Sequence, residues 1–298
     1  MNNNYRPRIE PRSGAERILD NTFYWVAKIL AFAIAGVLVW ITIQVGLDAI
    51  PAIQKFGLSF FIESSWNPVN STYGVWPAIY GTLVSSFIAL AISVPIGLGV
   101  AIFLSEDYLP PLVQRIIVFS VELLAAVPSV VYGLWGIFVL IPFLKSFTPL
   151  RGPGMLPAAL ILSVMILPTI AAIARDSIIN VDIGLRQAAV GLGATRWEAI
   201  LQIILPAASS GIIGGIMLAL GRALGETMAV TMLIGNSNRV NVDVFAPSNT
   251  ISSLLANQFA EASGLQVAAL MYAALILFFI TLVVNILAQL LVTRLQKI

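Results

Sequence analysis

Apolar residues along this chain fall into six long runs, separated by shorter stretches that are rich in polar residues. The runs cover residues 24–47, 76–104, 116–144, 155–174, 208–234 and 265–293. A helix needs about 20 apolar residues to cross the hydrocarbon core of a bilayer, and each run reaches that length. The strands of a membrane barrel are shorter and alternate apolar with polar residues. The pattern therefore predicts an all-α polytopic membrane protein with six transmembrane helices.

The composition agrees with a membrane protein and removes several classes of chemistry. Apolar residue types make up 59% of the chain and charged residues only 10%, whereas a soluble domain carries roughly 25% charged residues. The chain has no Cys and no His, which excludes disulfides, thiolate sites and histidine bases or ligands. A net charge of +2 does not indicate nucleic-acid binding. We expect neither a metal nor a cofactor in this chain.

The distribution of Lys and Arg predicts the orientation of the spans. With a cytoplasmic N-terminus, eleven cationic residues lie on the cytoplasmic side, four lie outside and Arg222 falls within a span. Cytoplasmic loops are enriched in Lys and Arg, so both termini are expected in the cytoplasm. We interpret residues 1–23 as a basic tail with an amphipathic helix, and residues 24–298 as one six-span domain. Its long external loops are 48–75 and 235–264.

The first of these loops is rich in aromatic residues, and two interpretations of them stay open. The residues are Phe56, Phe60, Phe61, Trp66 and Tyr73 in the loop, and Trp76 directly after it. Aromatic side chains often mark the bilayer–water interface. Alternatively, they form a docking surface for an external protein.

Residues 175–207 form the one substantial cytoplasmic loop, and its capping residues predict a helical hairpin. Asp182 can cap a short helix that stops at a left-handed Gly193. Thr195 begins a capping box for a second helix, which we expect to end near Pro206. The residues alone leave two interpretations open: a hairpin at the membrane interface, or a docking element for another protein.

A motif in this loop resembles the EAA loop of ABC importer permeases. The family pattern is Glu-Ala-Ala, three residues, Gly, nine residues and then Ile-x-Leu-Pro. The matching segment here comprises Arg186, Gln187 (in place of the first Glu), Ala188, Ala189, Gly193, Ala194, Ile203, Leu205 and Pro206. The residues alone predict a small face of Ala188, Ala189 and Ala194 that allows close approach of another surface and is flanked by Arg186 and Arg196. The resemblance implies that this segment is a coupling helix seated in a groove of a separate ATPase. The chain has no G-x-x-x-x-G-K-[ST] motif, so ATP and Mg²⁺ are expected to bind that partner.

Two charged residues lie inside the fifth apolar run. Arg222 is near its middle and Glu226 follows four residues later, a spacing that puts both side chains on one helix face, close enough to pair. A central Arg costs at least about 2.5 kcal/mol to insert. Two explanations compete: an ion pair that locks helices together, or a charged station on a solute path. In the second, Arg222 attracts an oxyanion, and Glu226 accepts a hydrogen bond that hydrogen phosphate can donate and sulfate cannot.

The third run contains further candidates. Glu122 either faces the same path or lies at headgroup level. Pro128, Ser129, Tyr132 and Gly133 interrupt helical regularity, so that freed carbonyls or hydroxyls can line a cavity. The full set of candidate pathway residues is Arg222, Glu226, Glu122, Ser129 and Thr227.

Two segments carry a second and more selective resemblance. Residues 221–230 read Gly-Arg-Ala-Leu-Gly-Glu-Thr-Met-Ala-Val, and residues 121–133 read Val-Glu-Leu-Leu-Ala-Ala-Val-Pro-Ser-Val-Val-Tyr-Gly. Both resemble the PstC-type permeases of phosphate ABC importers. The Arg-Ala-Leu-Gly-Glu unit alone is less selective, because sulfate and molybdate permeases have similar runs.

The resemblance implies the type I ABC importer permease fold in a multi-pass protein of the bacterial cytoplasmic membrane. The implied partners are a PstA-like second permease, two copies of a PstB-like ATPase and an external phosphate-binding protein. The chain would then be a non-catalytic subunit that imports inorganic phosphate by alternating access. Alternatives are a permease for sulfate, molybdate or tungstate, and an ATP-independent secondary transporter.

Overall fold

The computed structural model describes residues 14–106 and 108–295, with side chains from residue 19 to residue 290. The chain divides into two compact units, Met1–Leu47 and Asp48–Ile298.

In the first unit, the described residues belong to helix α1, Gly14–Phe56. The helix is unbroken at residues 23 and 24, so the end of the predicted tail and the first apolar run share one helix. The Lys28 ammonium lies over the Tyr24 and Trp25 rings, 4.5 Å and 5.6 Å from their centroids. Residues 1–13 of the predicted tail lie outside the described residues.

Among the described residues of the second unit, the regular structure is helical except for one short hairpin. The hairpin pairs β1 (Trp66–Asn67) with β2 (Thr72–Tyr73) in antiparallel register. The helices are α2 (Trp76–Ser105), α3 (Pro111–Ala126), α4 (Ser129–Trp135), α5 (Ile141–Lys145), α6 (Met155–Ile179), α7 (Ile183–Gly191), α8 (Arg196–Ala199), α9 (Leu205–Gly225), α10 (Met228–Leu233), α11 (Ile251–Gln258) and α12 (Leu265–Leu295). Single turns of 3₁₀ helix lie at Gly57–Phe61 and Phe259–Glu261, and π turns at Gly136–Leu140 and Ile200–Ile204.

The structure confirms the predicted all-α membrane architecture. Helical stretches that are long and apolar enough to cross a membrane are, within the described ranges, Leu19–Phe61, Trp76–Ser105, Met155–Ile179, Arg196–Gly225 and Leu265–Leu290. The pair α3 and α4–α5 passes the same test together and supplies the sixth span when counted as one. Two predicted runs, 116–144 and 208–234, are not continuous helices. Both breaks lie at the candidate site.

Helix α6 is the centre of the second unit. In its most apolar stretch 61% of the residues are buried, against 28% in α2. An added Cβ at Gly97 of α2 would lie 3.0 Å from Ile170 Cγ2, and one at Gly215 of α9 would lie 3.0 Å from Ile173 Cβ. These glycines let α2 and α9 pack closely on α6, as small residues do between transmembrane helices.

The aromatic residues before α2 form a small core. Phe60 and Tyr73 are buried, and the Phe60 ring stacks on the Tyr272 ring of α12 with centroids 4.7 Å apart. Burial raises the pKa of the Tyr73 phenol. For Phe60 and Tyr73, both sequence interpretations are wrong, because a buried ring contacts neither headgroups nor a docking partner. Trp76, by contrast, is exposed.

The predicted external loop 235–264 is a folded part of the bundle. Its residues 248–254 are buried, and Thr250 caps α11 by accepting a hydrogen bond from the Ser253 N–H at 3.1 Å. Carbonyls of Val244 and Ala246 accept hydrogen bonds from the first N–H groups of α6. The loop thereby satisfies donors that a helix start leaves without intrahelical partners.

Candidate functional site

The third apolar run is broken between α3 and α4, where the axes bend by 93°. Val127 is extended, with ψ of 130°, as expected for a residue that precedes a proline. The Tyr132 hydroxyl donates to the Leu124 carbonyl at 2.8 Å, which satisfies an acceptor freed at the end of α3. The interruption predicted at Pro128 is therefore confirmed. The apolar run 116–144 is accordingly divided between α3 and the helices that follow Pro128.

The fifth run is broken between α9 and α10, which corrects the predicted pairing of Arg222 with Glu226. Helix α9 ends at Gly225, and Glu226 is extended with ψ of 124°. The two side chains therefore do not share one helix face. Within the part of the chain that the structure describes, Arg222 makes neither an ion pair nor a hydrogen bond.

Glu226 and Thr227 have local roles at this break. The Ala229 N–H donates to Glu226 Oε1 at 3.4 Å, so the carboxylate lies at the start of α10, where a negative charge is favourable. The Thr227 hydroxyl donates to the Gly225 carbonyl at 3.1 Å. Glycine disfavours continuation of a helix, and these two bonds stabilise the extended residue instead.

The two breaks lie side by side because α4 packs on α10. An added Cβ at Gly133 would lie 2.6 Å from Met232 Sδ and 3.3 Å from Ala229 Cα, and one at Gly136 would lie 2.6 Å from Leu233 Cδ1. From Gly133 to Gly136, the contacts move forward along α10 and reach Leu233. The segments that begin with α4 and α10 are therefore parallel, and they begin at the same end. Ser129 is the first residue of α4.

The structure thus brings four of the five candidate pathway residues to one region. Arg222, Glu226, Thr227 and Ser129 lie at or next to the two breaks, and all four are half-buried. The Arg222 charge also interacts electrostatically with the phenol of Tyr132, which sequence reasoning treated only as a helix interruption. Glu122 is exposed on α3, on the far side of the bend, and no described contact joins it to the other four.

The predicted hairpin at 175–207 is confirmed in its first half. Asp182 accepts the Gly184 N–H at 2.6 Å and caps α7. The helix ends in a Schellman motif, in which Ala194 N–H donates to the Ala189 carbonyl and Gly193 has φ of +88°. Thr195 and Glu198 form the predicted capping box of α8.

The second half of the hairpin differs from the prediction. The helix that starts at Arg196 does not end near Pro206 but continues into α9 through the π turn Ile200–Ile204. Proline lacks an N–H and its ring clashes with the carbonyl four residues earlier. The wider π turn next to Pro206 accommodates both effects, and the EAA-like residues Ile203, Leu205 and Pro206 therefore belong to the start of a membrane span.

The surface of this segment is apolar and exposed at its tip. Leu192 is 90% exposed, Ile183 70% and Val190 61%, while Gln187 and Ala188 are also exposed. The predicted small face of three alanines is wrong: Ala189 is buried and Ala194 half-buried, because the Schellman motif folds them against the segment itself.

Arg186 faces inward, contrary to the prediction that it flanks the docking face. Its guanidinium forms an ion pair with Glu106 at 2.6 Å and donates to the Ile178 carbonyl at 2.9 Å. Sequence reasoning missed Glu106, because it lies 80 residues away with no local signal. Among the described residues, no group of three or more acidic side chains could hold a metal ion.

Comparison with known proteins identifies the family. Residues 93–297 match the model of the binding-protein-dependent transport system inner membrane component family. The chain is 45% identical to the phosphate transport system permease protein PstC of Pasteurella multocida, covering 83% of each chain. It is 41% identical to PstC of Haemophilus influenzae, covering 94% of this chain and 95% of the relative.

A solved structure shows the same fold. It is the bacterial alginate ABC transporter in complex with a periplasmic protein bound to an alginate pentasaccharide, and the match has a TM-score of 0.67. The match covers 94% of this chain and 98% of the other at 18% identity, so it bears on fold alone. The chain belongs to the binding-protein-dependent transport system inner membrane components, and within that family it is a relative of the PstC permeases.

Proposed function

We propose that this chain is the permease subunit that conducts inorganic phosphate in an ATP-driven importer. Similarity to PstC over nearly the whole chain supports the substrate. The observation that carries the mechanism is Arg222, which lies at two adjacent helix breaks without an ion-pair or hydrogen-bond partner in the described part of the chain. A cation within an apolar bundle is costly without a partner, and an oxyanion supplies one.

The partners in this proposal are a PstA-like second permease, two copies of a PstB-like ATPase and an external phosphate-binding protein. Both termini face the cytoplasm, and the excess of Lys and Arg on that side supports this orientation. The chain itself hydrolyses nothing and holds no cofactor. ATP and Mg²⁺ bind the ATPase.

The segment 183–194 is the coupling element. It exposes Val190 and Leu192 at the end of α7 and Ile183 at its start, and large exposed apolar side chains fit a groove of a partner protein. Motion of the ATPase pair would displace α7 and, through the continuous helix that begins at Arg196, the span that ends at Gly225. That span carries Arg222 in its last turn.

The solute path runs past the two breaks. Arg222 attracts the anion and offers its planar fork of donors. Glu226 has one oxygen engaged by Ala229, and its other oxygen accepts a hydrogen bond from hydrogen phosphate. Sulfate carries no proton at neutral pH, so it meets only repulsion from this carboxylate.

The test is phosphate uptake by the complete complex in proteoliposomes, with the binding protein outside and ATP inside. We expect uptake that requires ATP and is not displaced by excess sulfate. Liposomes that hold the complex without ATP are the control. Uptake that persists without ATP, or sulfate uptake at an equal rate, would contradict the proposal.

A further inference from the structure

The helix α7 is held to the rest of the chain by little apolar burial. Of its nine residues only Ala189 is buried. Burying one methyl group contributes at most about 1 kcal/mol, so packing alone fixes the helix weakly. Other contacts must set its position.

Arg186 supplies those contacts at two points. Its Nη1 pairs with Glu106 Oε1 at 2.6 Å, just beyond the end of α2, and its Nη2 donates to the Ile178 carbonyl at 2.9 Å, near the end of α6. The last carbonyls of a helix lack intrahelical donors, and a cation there also suits the helix dipole. One guanidinium fork therefore holds the ends of two membrane helices.

The end of α2 is itself tied to its neighbours. The Leu104 carbonyl accepts from Gln114 Nε2 of α3 at 2.7 Å and from Arg175 Nε of α6 at 3.3 Å. We call this set of contacts the arginine node; its members are Leu104, Glu106, Gln114, Arg175, Ile178 and Arg186.

The ion pair at the centre of the node is mostly buried. The side chains of Arg186 and Glu106 are 24% and 17% exposed. Salt screens such a pair less than an exposed one, and its short distance is that of a charge-assisted hydrogen bond. The pair is thus suited to hold α7 to the end of α2.

We propose that Arg186 and Glu106 are positioning residues that lock α7 to the ends of α2 and α6, so that displacement of α7 moves both helices. This inference rests on the proposed function. It gives the arginine of the EAA-like motif a role within the permease instead of a contact with the ATPase.

A double-mutant cycle in the complete complex tests the lock. The variants are Glu106→Gln, Arg186→Gln and the pair together, with Arg115→Gln as a control that removes an exposed cation next to Gln114. The readout is phosphate transported per ATP hydrolysed, normalised to the amount of ATPase that co-purifies. Arg186→Lys and Glu106→Asp keep the charges of the ion pair. They report whether a conservative replacement preserves the ratio of phosphate transported to ATP hydrolysed.

We expect each single variant to lower the ratio about threefold to tenfold, with ATP hydrolysis continuing and ATPase retention unchanged. The double variant should be no worse than the worse single variant, and Arg115→Gln should match the wild type. A wild-type ratio in Glu106→Gln together with a loss in Arg186→Gln would overturn the lock and place Arg186 at the ATPase. Additive losses would overturn it as well. Absence of phosphate transport by the wild type would refute the proposed function instead.

Discussion

Two arginines in different regions of this chain have opposite surroundings. In the segment 175–207, Arg186 has an acidic partner at 2.6 Å and a carbonyl partner at 2.9 Å. At the helix breaks, Arg222 has no ion pair or hydrogen bond among the described residues. Both side chains are half-buried, so burial does not explain the difference. An arginine with satisfied donors holds elements in place, whereas one without partners in an apolar bundle is available to a ligand.

Replacing Arg222 should have the largest effect on phosphate uptake. Arg222→Ala should reduce phosphate uptake by roughly a hundredfold, since charge-assisted hydrogen bonds are worth about 1.5–3 kcal/mol each. Assembly with the ATPase should be unchanged, because no described contact is lost. The measurement is uptake of labelled phosphate by matched amounts of complex, with Arg115→Ala as control. Uptake within a factor of two of the wild type would show that Arg222 is not on the path.

In the segment 175–207, an acidic residue in place of the exposed Leu192 should disrupt docking to the ATPase. Leu192→Asp should lower ATPase retention by about thirtyfold, because central apolar anchors at interfaces are worth about 2 kcal/mol or more. Leu192 is 90% exposed, so the fold of the chain should persist. Co-purification with the ATPase is the readout, and Val242→Asp, at an 82% exposed position of the other long loop, is the matched control. Equal retention in both variants would contradict the docking role.

Replacing each of the two arginines should also have different effects on the thermal stability of the chain. Arg186→Gln should lower the Tm of the chain by about 2–4 °C, since losing a partly exposed ion pair and one hydrogen bond costs about 1 kcal/mol. Arg222→Gln should not lower the Tm, and should raise it if anything, because it removes no described bond and takes an uncompensated charge out of an apolar bundle. Thermal unfolding of the two variants in the same detergent measures the difference. A larger loss in Arg222→Gln would indicate a structural partner for Arg222.

The smallest effect concerns the glycine corner after α7. Gly193 has φ of +88° and an added Cβ would meet no atom within 4 Å, so Gly193→Ala should cost about 1 kcal/mol through backbone strain alone. Amide exchange over residues 188–194 should accelerate about fivefold. Gly191→Ala, at an equally open helical position, should not accelerate exchange. Equal protection in both variants would show that the corner is not strained by a side chain.

Much of the segment 175–207 follows from its sequence because its signals are local. Asp182, Gly193 and Thr195 each act within one turn of their own position, and the structure confirms all three. The end assigned at Pro206 was wrong, since a π turn absorbs the proline. The Arg186–Glu106 pair could not be predicted, because 80 residues separate its members.

The helix breaks are harder to predict from the sequence, because they too involve residues that are far apart along the chain. In the third run, Pro128 predicts the break, and the structure confirms that break. The break after Gly225 has no proline, and spacing within an assumed helix predicted a pair of charges that does not form. Packing of α4 on α10 accompanies that break, and such packing depends on residues about 100 positions apart. The apolar runs predicted the number of spans well, but not their continuity.

The solute path past the two breaks can be tested directly, because the chain has no Cys. Ser129→Cys places a thiol at the start of α4, and Val131→Cys places a matched thiol two residues later at a 49% exposed position. The rate of modification of this chain by a membrane-impermeant thiol reagent is measured in the working complex, with and without phosphate. We expect phosphate to slow modification at position 129 and not at position 131. Modification at position 129 that is absent, or that proceeds at the same rate with phosphate, would contradict the account.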